Sequence, residues 1–320
     1  MIYHFIAVFD FLIWMSVALS ALYVVFFAFA SRLYKSKPTN SSAFHDKGKQ
    51  EIDFLILIPA YAEDAVICQT VQNMLQLQYP RNQFHVTVIS DHQQLSTNQW
   101  LSEHVDTLLI PRFQNSSKAK ALQYAIQRNT YKAQYVLVLD ADNIVEPTFL
   151  GQLCDICTNM SEKSVVQCHR QAKNHQTPVA LLDAISEEIN NAVFRSGHNS
   201  VGLPAALIGS GMCFPYQWFS EAVHLLETAG EDKELELLLL ICLVGCVVSS
   251  FCCITCSIKW WIVLILLMFS LWIVIPSQYK TRQLFHAVLS FPVLCYGMIL
   301  GMLKIDRHNK DFTHTSHGVK

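Results

Sequence analysis

Hydrophobic and polar positions divide the chain into two kinds of segment. Residues 11–30 carry no charge, a run about as long as a bilayer-crossing helix. Arg32, Lys35 and Lys37 follow it, which by the positive-inside rule puts the next segment in the cytoplasm. A second apolar block fills 237–276, broken only by Ser257-Ile258-Lys259. It is too long for one span and suits two, so a helical hairpin is expected there, with Lys259, Trp260 and Trp261 near the outer interface. Residues 284–303 are apolar but hold His286, Pro292 and two glycines between basic flanks, the pattern of an interfacial or re-entrant segment.

The part in between has a different rhythm. Residues 53–59 (DFLILIP) are a continuous apolar run ended by proline, as in a strand buried on both faces. Residues 65–77 then place Val66, Val71, Met74 and Leu75 at helical spacing. Further strands are predicted at 84–90, 107–110 and 135–139, and an amphipathic helix at 118–128. Strands alternating with helices imply a parallel-rich α/β sheet. The organisation expected is thus a transmembrane anchor over 1–30, a polar linker over 31–50 and a cytoplasmic α/β domain over 51–236. The hairpin at 237–276 and a basic cytoplasmic end at 277–320 complete it.

Composition narrows the class. The chain has 320 residues, 52% hydrophobic and 15% charged, where a soluble domain carries about 25% charge. A net charge of -2 gives no reason to expect nucleic acid. The 11 cysteines, many of them in apolar runs, read as buried thiols rather than a disulfide framework. Cys154 and Cys157 have redox or metal spacing without a second pair, which favours core packing.

In parallel sheets, ligands bind beyond the carboxyl ends of the strands. Three polar clusters fall there: 59–64, Asp91, and Asp140-Ala141-Asp142. Two carboxylates on a turn after a strand suit a divalent cation that takes its remaining ligands from phosphate and water, or they form an ordinary surface turn. Asp91 is either a cap or an acceptor for a base or ribose. Lys118 and Lys120 open a helix, where a cation is disfavoured unless an anion lies nearby. Gly209-Ser210-Gly211 is a turn that lets a substrate approach the backbone, or a turn alone. His169-Arg170 either touches diphosphate or lies on an exposed turn. Glu231-Asp232 offers a general base for an acceptor hydroxyl, or a charged helix start.

In this order the residues resemble the membrane-bound, inverting family 2 glycosyltransferases of GT-A fold, the group that includes cellulose and hyaluronan synthase catalytic domains. Pro59-Ala60-Tyr61-Ala62-Glu63 is similar to the family's Pro-Ala-Tyr-Asn-Glu motif, with Ala62 in place of Asn. The resemblance implies nucleotide contacts from Pro59, Tyr61, Glu63, Asp91, Lys118 and Asp140. It implies Asp142 as ligand of Mg2+ or Mn2+, Gly209, Ser210 and Gly211 on the acceptor side, and Glu231 with Asp232 as the catalytic pair, Asp232 being the base. The implied donor is a UDP-sugar and the implied acceptor a lipid-linked sugar or growing polysaccharide at the membrane lipid. The family's Gln-x-x-Arg-Trp motif does not occur in this chain. Two readings follow: an active, non-processive transferase, or a nucleotide-sugar-binding relic or assembly partner that lacks the acceptor-binding region.

Overall fold

A computed structural model describes residues 2–34, 52–160, 164–225, 242, 245–246 and 254–289. The chain divides into two units. A sheet unit comprises the described residues of 37–168 and 207–229; a helical unit comprises those of 1–36, 169–206 and 230–305.

The sheet unit contains β1 (Phe54–Tyr61), α2 (Ile67–Met74), β2 (Phe84–Asp91), α3 (Leu95–His104), β3 (Thr107–Leu109), α4 (Lys118–Arg128), β4 (Tyr135–Val138), α5 (Phe149–Thr158), β5 (Val166–Gln167), β6 (Met212–Pro215) and α8 (Tyr216–Ala222). The strand order is β3-β2-β1-β4-β6-β5. β3, β2, β1 and β4 run parallel, whereas β6 is antiparallel to both β4 and β5. The sheet is therefore mixed.

β1 shows why a continuous apolar run suits a central strand. Successive side chains point to opposite faces. Phe54, Ile56 and Ile58 pack into one layer with α2, α3 and α5, while Leu55 and Leu57 pack into the other with α4, Phe214 and Phe219. Each such burial stabilises by about 1.5–3 kcal/mol.

Pro59 does not end β1 as expected; the strand runs on to Tyr61. Leu57 turns its carbonyl toward β4, accepting from Leu139 N at 3.0 Å, and Pro59, two residues on, faces the same way. There β4 has already turned into Asp140, so the missing N–H costs no ladder bond. β1 continues paired with β2 alone, up to Tyr61 opposite Asp91.

The helical unit contains α1 (Ile2–Ser31), α6 (Pro178–Asn191), a π-helical turn (Ala192–Gly197), α7 (His198–Ser200) and α9 (Ile254–Val274). The segment 169–206, expected within one continuous soluble domain, belongs to this unit. Thr177 caps α6 by accepting from Ala180 N at 3.2 Å, and Pro178 opens it. At Gly197 the π turn meets α1 so closely that a Cβ would lie 2.5 Å from the Phe27 carbonyl oxygen.

α1 and α9 pack through Val17, Ala21, Val24, Val263, Leu267 and Leu271. Both are long and apolar enough to cross a membrane, over Ala7–Ser31 and Ser257–Val274. Both leave large apolar side chains outward: Leu19 is 62% exposed and Ile265 63%.

The break expected at Ser257-Ile258-Lys259 is helical instead, because α9 runs through it from Ile254. Lys259 ion-pairs with Asp10 of α1, whose other oxygen accepts from Trp260 Nε1 at 3.1 Å. Trp14 Nε1 donates to the Lys259 carbonyl at 3.1 Å. The lysine is thus paired within the helix pair, and Trp260 is buried against α1. Residues 35–50 of the expected linker over 31–50, most of 237–253 and the end of the chain from 290 lie outside the described residues.

Candidate functional site

The strand order reverses at β1, which has β2 on one side and β4 on the other. Such a switch point opens a crevice at the carboxyl ends of the strands, where β1 and β4 part. β1 delivers Tyr61 and Glu63 to this edge, β2 delivers Asp91, and β4 delivers Asp140 and Asp142. β6 is antiparallel, so its start lies beside the end of β4, and Gly211 N donates to Val138 O at 2.9 Å. That brings Gly209, Ser210 and Gly211 to the same edge. Gly209 and Gly211 have φ of +82° and +64°, which suits residues without a Cβ.

The loops after β1 and β2 are laced together. Ala62 N donates to Asp91 O at 3.0 Å, and Asp64 Oδ1 accepts from Gln94 N at 2.9 Å. Ala62 (φ +50°) and His92 (φ +59°) both adopt the left-handed conformation, uncommon outside glycine and found where strain is held for function. Asn tolerates this conformation better than Ala, which fits an Asn at this position in the motif. Asp91 is buried, and its Oδ1 lies 2.7 Å from His92 Nδ1. The Tyr61 and His92 rings are 5.2 Å apart, a pair of polarisable faces beside that carboxylate.

Asp140, Ala141, Asp142 and Asn143 form a tight turn closed by Asn143 N donating to Asp140 O at 3.1 Å. Ser210 Oγ accepts from Asp140 N and from Asn143 Nδ2, each at 2.9 Å. Thr70 Oγ1 of α2 donates to Ala141 O at 2.6 Å. Lys118, the first residue of α4, ion-pairs with Asp140, so the anion its position called for is a carboxylate of this edge. Ser117 caps α4 by accepting from Lys120 N at 3.2 Å. A Cβ on Gly209 would lie 3.9 Å from Lys118 Nζ, which sets the glycine turn beside the ammonium.

The donor set bears on a metal. Glu63, Asp64, Asp91, Asp140 and Asp142 share this edge with Lys118, so an anionic diphosphate would meet net negative charge unless a cation came with it. Two carboxylates on one turn fit a hard cation that fills its coordination with phosphate and water, as Mg2+ and Mn2+ do. Among the described residues no group of three or more His, Cys, Asp or Glu side chains forms a cage.

The cysteine candidates pack as core. Cys154 and Cys157 are buried in the sheet core, with Cys157 Sγ 4.0 Å from Cys213 Sγ. Burial pushes the Cys168 thiol up to about 12 and raises that of Cys213 as well, which makes them poor nucleophiles. His169 pairs with Glu188 of α6 at 3.2 Å in the helical unit. Glu231 and Asp232 lie outside the described residues. No motif or periodicity marks Thr70, whose hydroxyl reaches a turn 71 positions away.

The profile of the family described as glycosyltransferase like family 2 matches residues 52–241. The probable glycosyltransferase YdaM of Bacillus subtilis (strain 168) is 26% identical over 120 residues, 36% of this chain and 29% of that protein. The chain therefore spans less than a third of that relative. Among solved structures, the mannosyltransferase PcManGT from Pyrobaculum calidifontis, in complex with GDP-Man and Mn2+, is similar with a TM-score of 0.39 and 14% identity, covering 91% of this chain and 93% of that one. S. aureus TarS 1-349 in complex with UDP-GlcNAc gives a TM-score of 0.35 and 14% identity, covering 53% and 47%.

Proposed function

The chain belongs to the glycosyltransferase like family 2, and from that premise we propose that it is a membrane-bound transferase. It moves a sugar from a nucleotide sugar, a UDP-sugar by the motif resemblance, to a lipid-linked or polysaccharide acceptor with inversion at the anomeric carbon. The observation that carries this reading is the gathering of Asp91, Lys118, Asp140 and Asp142 where β1 and β4 part.

Asp91 accepts from the base or ribose, with Tyr61 and His92 beside it; Pro59 and Glu63 shape the same wall. Lys118 shifts part of its charge from Asp140 to the diphosphate. Asp142 holds Mg2+ or Mn2+, which when bound neutralises the leaving diphosphate. Asp232, seconded by Glu231, takes the acceptor hydroxyl proton as its oxygen attacks the anomeric carbon and the bond to the diphosphate breaks. The outward apolar faces of α1 and α9 support membrane spans. The positive charges after α1 support a cytoplasmic catalytic domain.

A second reading has an observation of its own: the missing Gln-x-x-Arg-Trp favours a protein that binds nucleotide sugar without transferring it. Calorimetry with UDP-sugars in the presence and absence of Mn2+ tests the donor site that both readings share. We expect cation-dependent binding that Asp142→Asn abolishes; binding indifferent to cation and to Asp142 would overturn the site assignment.

A further inference from the structure

Ser210 sits in the glycine turn that motif resemblance places on the acceptor side, yet its side chain does not face an open site. It is fully buried, as is Thr70. We propose that Ser210 and Thr70 are positioning residues for the carboxylate turn and act on donor and cation binding rather than on the acceptor. The inference rests on the proposed nucleotide-sugar site.

The turn Asp140–Asn143 carries both carboxylates within four residues, and a free turn of that length samples many orientations. Here one hydroxyl oxygen receives hydrogen bonds from its first residue, through Asp140 N, and from its last, through Asn143 Nδ2. A second hydroxyl, from α2, holds the carbonyl of Ala141 and so fixes the peptide plane that leads into Asp142. Asn143 N closes the turn on Asp140 O. The backbone of the turn is thus held from two sides.

Ser210 is in turn held by β5. Gln167 Nε2 donates to Ser210 O at 2.8 Å, and Gln167 Oε1 accepts from Ile208 N at 3.0 Å. The brace therefore runs from Gln167 through Ser210 to the Asp140 turn, with Thr70 opposite. Outer partners of this kind typically change metal affinity by roughly 10–100-fold when removed.

The test is calorimetry of Mn2+ with UDP, and separately with GDP, on the full chain in detergent or nanodiscs. Melting temperature is recorded alongside. Thr70→Val and Ser210→Ala should each weaken nucleotide-dependent Mn2+ binding by roughly tenfold or more. Thr70→Ser, which keeps the hydroxyl, should restore it. Asn143→Ala, which removes one of the two donors to Ser210 and is the milder change, should shift binding in the same direction by less. Where transfer is measurable, donor KM should rise and acceptor KM stay put. Donor binding intact with a raised acceptor KM would return Ser210 to the acceptor side and overturn the proposal, as would a lower melting temperature with unchanged cation binding. Wild-type protein that binds neither nucleotide would instead refute the donor site itself, before any variant is compared.

Discussion

Lys118 pairs with Asp140 at the strand-end edge, and replacing it with methionine removes its charge while keeping most of its stem. The two paired side chains are 31% and 32% exposed. A pair that open to water is strongly screened, so its loss should cost no more than about 1 kcal/mol of stability. For a unit of this size that is about 2–4 °C in melting temperature. Donor binding should respond more. A charged hydrogen bond to a phosphate oxygen contributes about 1.5–3 kcal/mol, which is roughly a 10- to 100-fold change in Kd. Asp140 should also bind a divalent cation more readily once the ammonium no longer competes for it. Titration calorimetry of Lys118→Met against a UDP-sugar, with Mn2+ alone as a second titrant, separates these effects. A large fall in melting temperature with donor Kd unchanged would refute the reasoning and make Lys118 a structural tie between α4 and the turn.

Other consequences are open to test. Ala62→Gly should raise stability by about 1 kcal/mol by relieving the left-handed backbone, seen as a higher melting temperature; a fall would mean that the Ala62 methyl is needed for packing. Burial lowers the pKa of His85 below its usual 6.5, with Asp106 opposing and Arg81 adding to the shift. The unfolded chain then binds the proton more readily, so this contribution is present above about 6.5 and fades as pH falls. Melting temperature should drop between pH 7.5 and 5.5, and less so in His85→Gln; equal slopes would contradict it. Asp10→Asn should weaken the α1–α9 pairing by about 1 kcal/mol, the scale of polar contacts between membrane helices. Resistance to detergent unfolding reports this, and the swap Asp10→Lys with Lys259→Asp should recover part of it.

Much of the sheet unit was legible in the sequence because its central strands are buried on both faces. The runs at β1 and β4 are continuously apolar, β2 keeps Phe84, Val86, Val88 and Ile89 around His85 and Thr87, and α4 was bounded correctly, from Lys118 to Arg128, by its amphipathic pattern. What the sequence hid depends on distant partners. α3 buries only Leu101, so it has no apolar stripe to read. The direction of β6 leaves no periodic mark, although it decides which end of that strand meets Asp140. Lys259 looks like a helix break until Asp10, 249 residues away, is seen to neutralise it. Segment 169–206 has ordinary polar punctuation, yet α6 packs Leu181, Ala184, Ile185 and Ile189 into the same core as α1 and α9. The carboxylates of the edge were found because the ends of parallel strands are where such groups gather; the buried hydroxyls that hold them carry no charge and follow no motif.

The central claim is sugar transfer, and its most direct test is label transfer from a panel of UDP-sugars, with Mn2+ or Mg2+, into lipid or polymer by membranes containing this chain, beside an Asp232→Asn control. The account predicts cation-dependent transfer that falls by roughly 10²–10⁴-fold in the control. Transfer unchanged in Asp232→Asn would contradict the assignment of the base, and donor binding without any transfer would contradict the enzyme and leave a nucleotide-sugar-binding protein in its place.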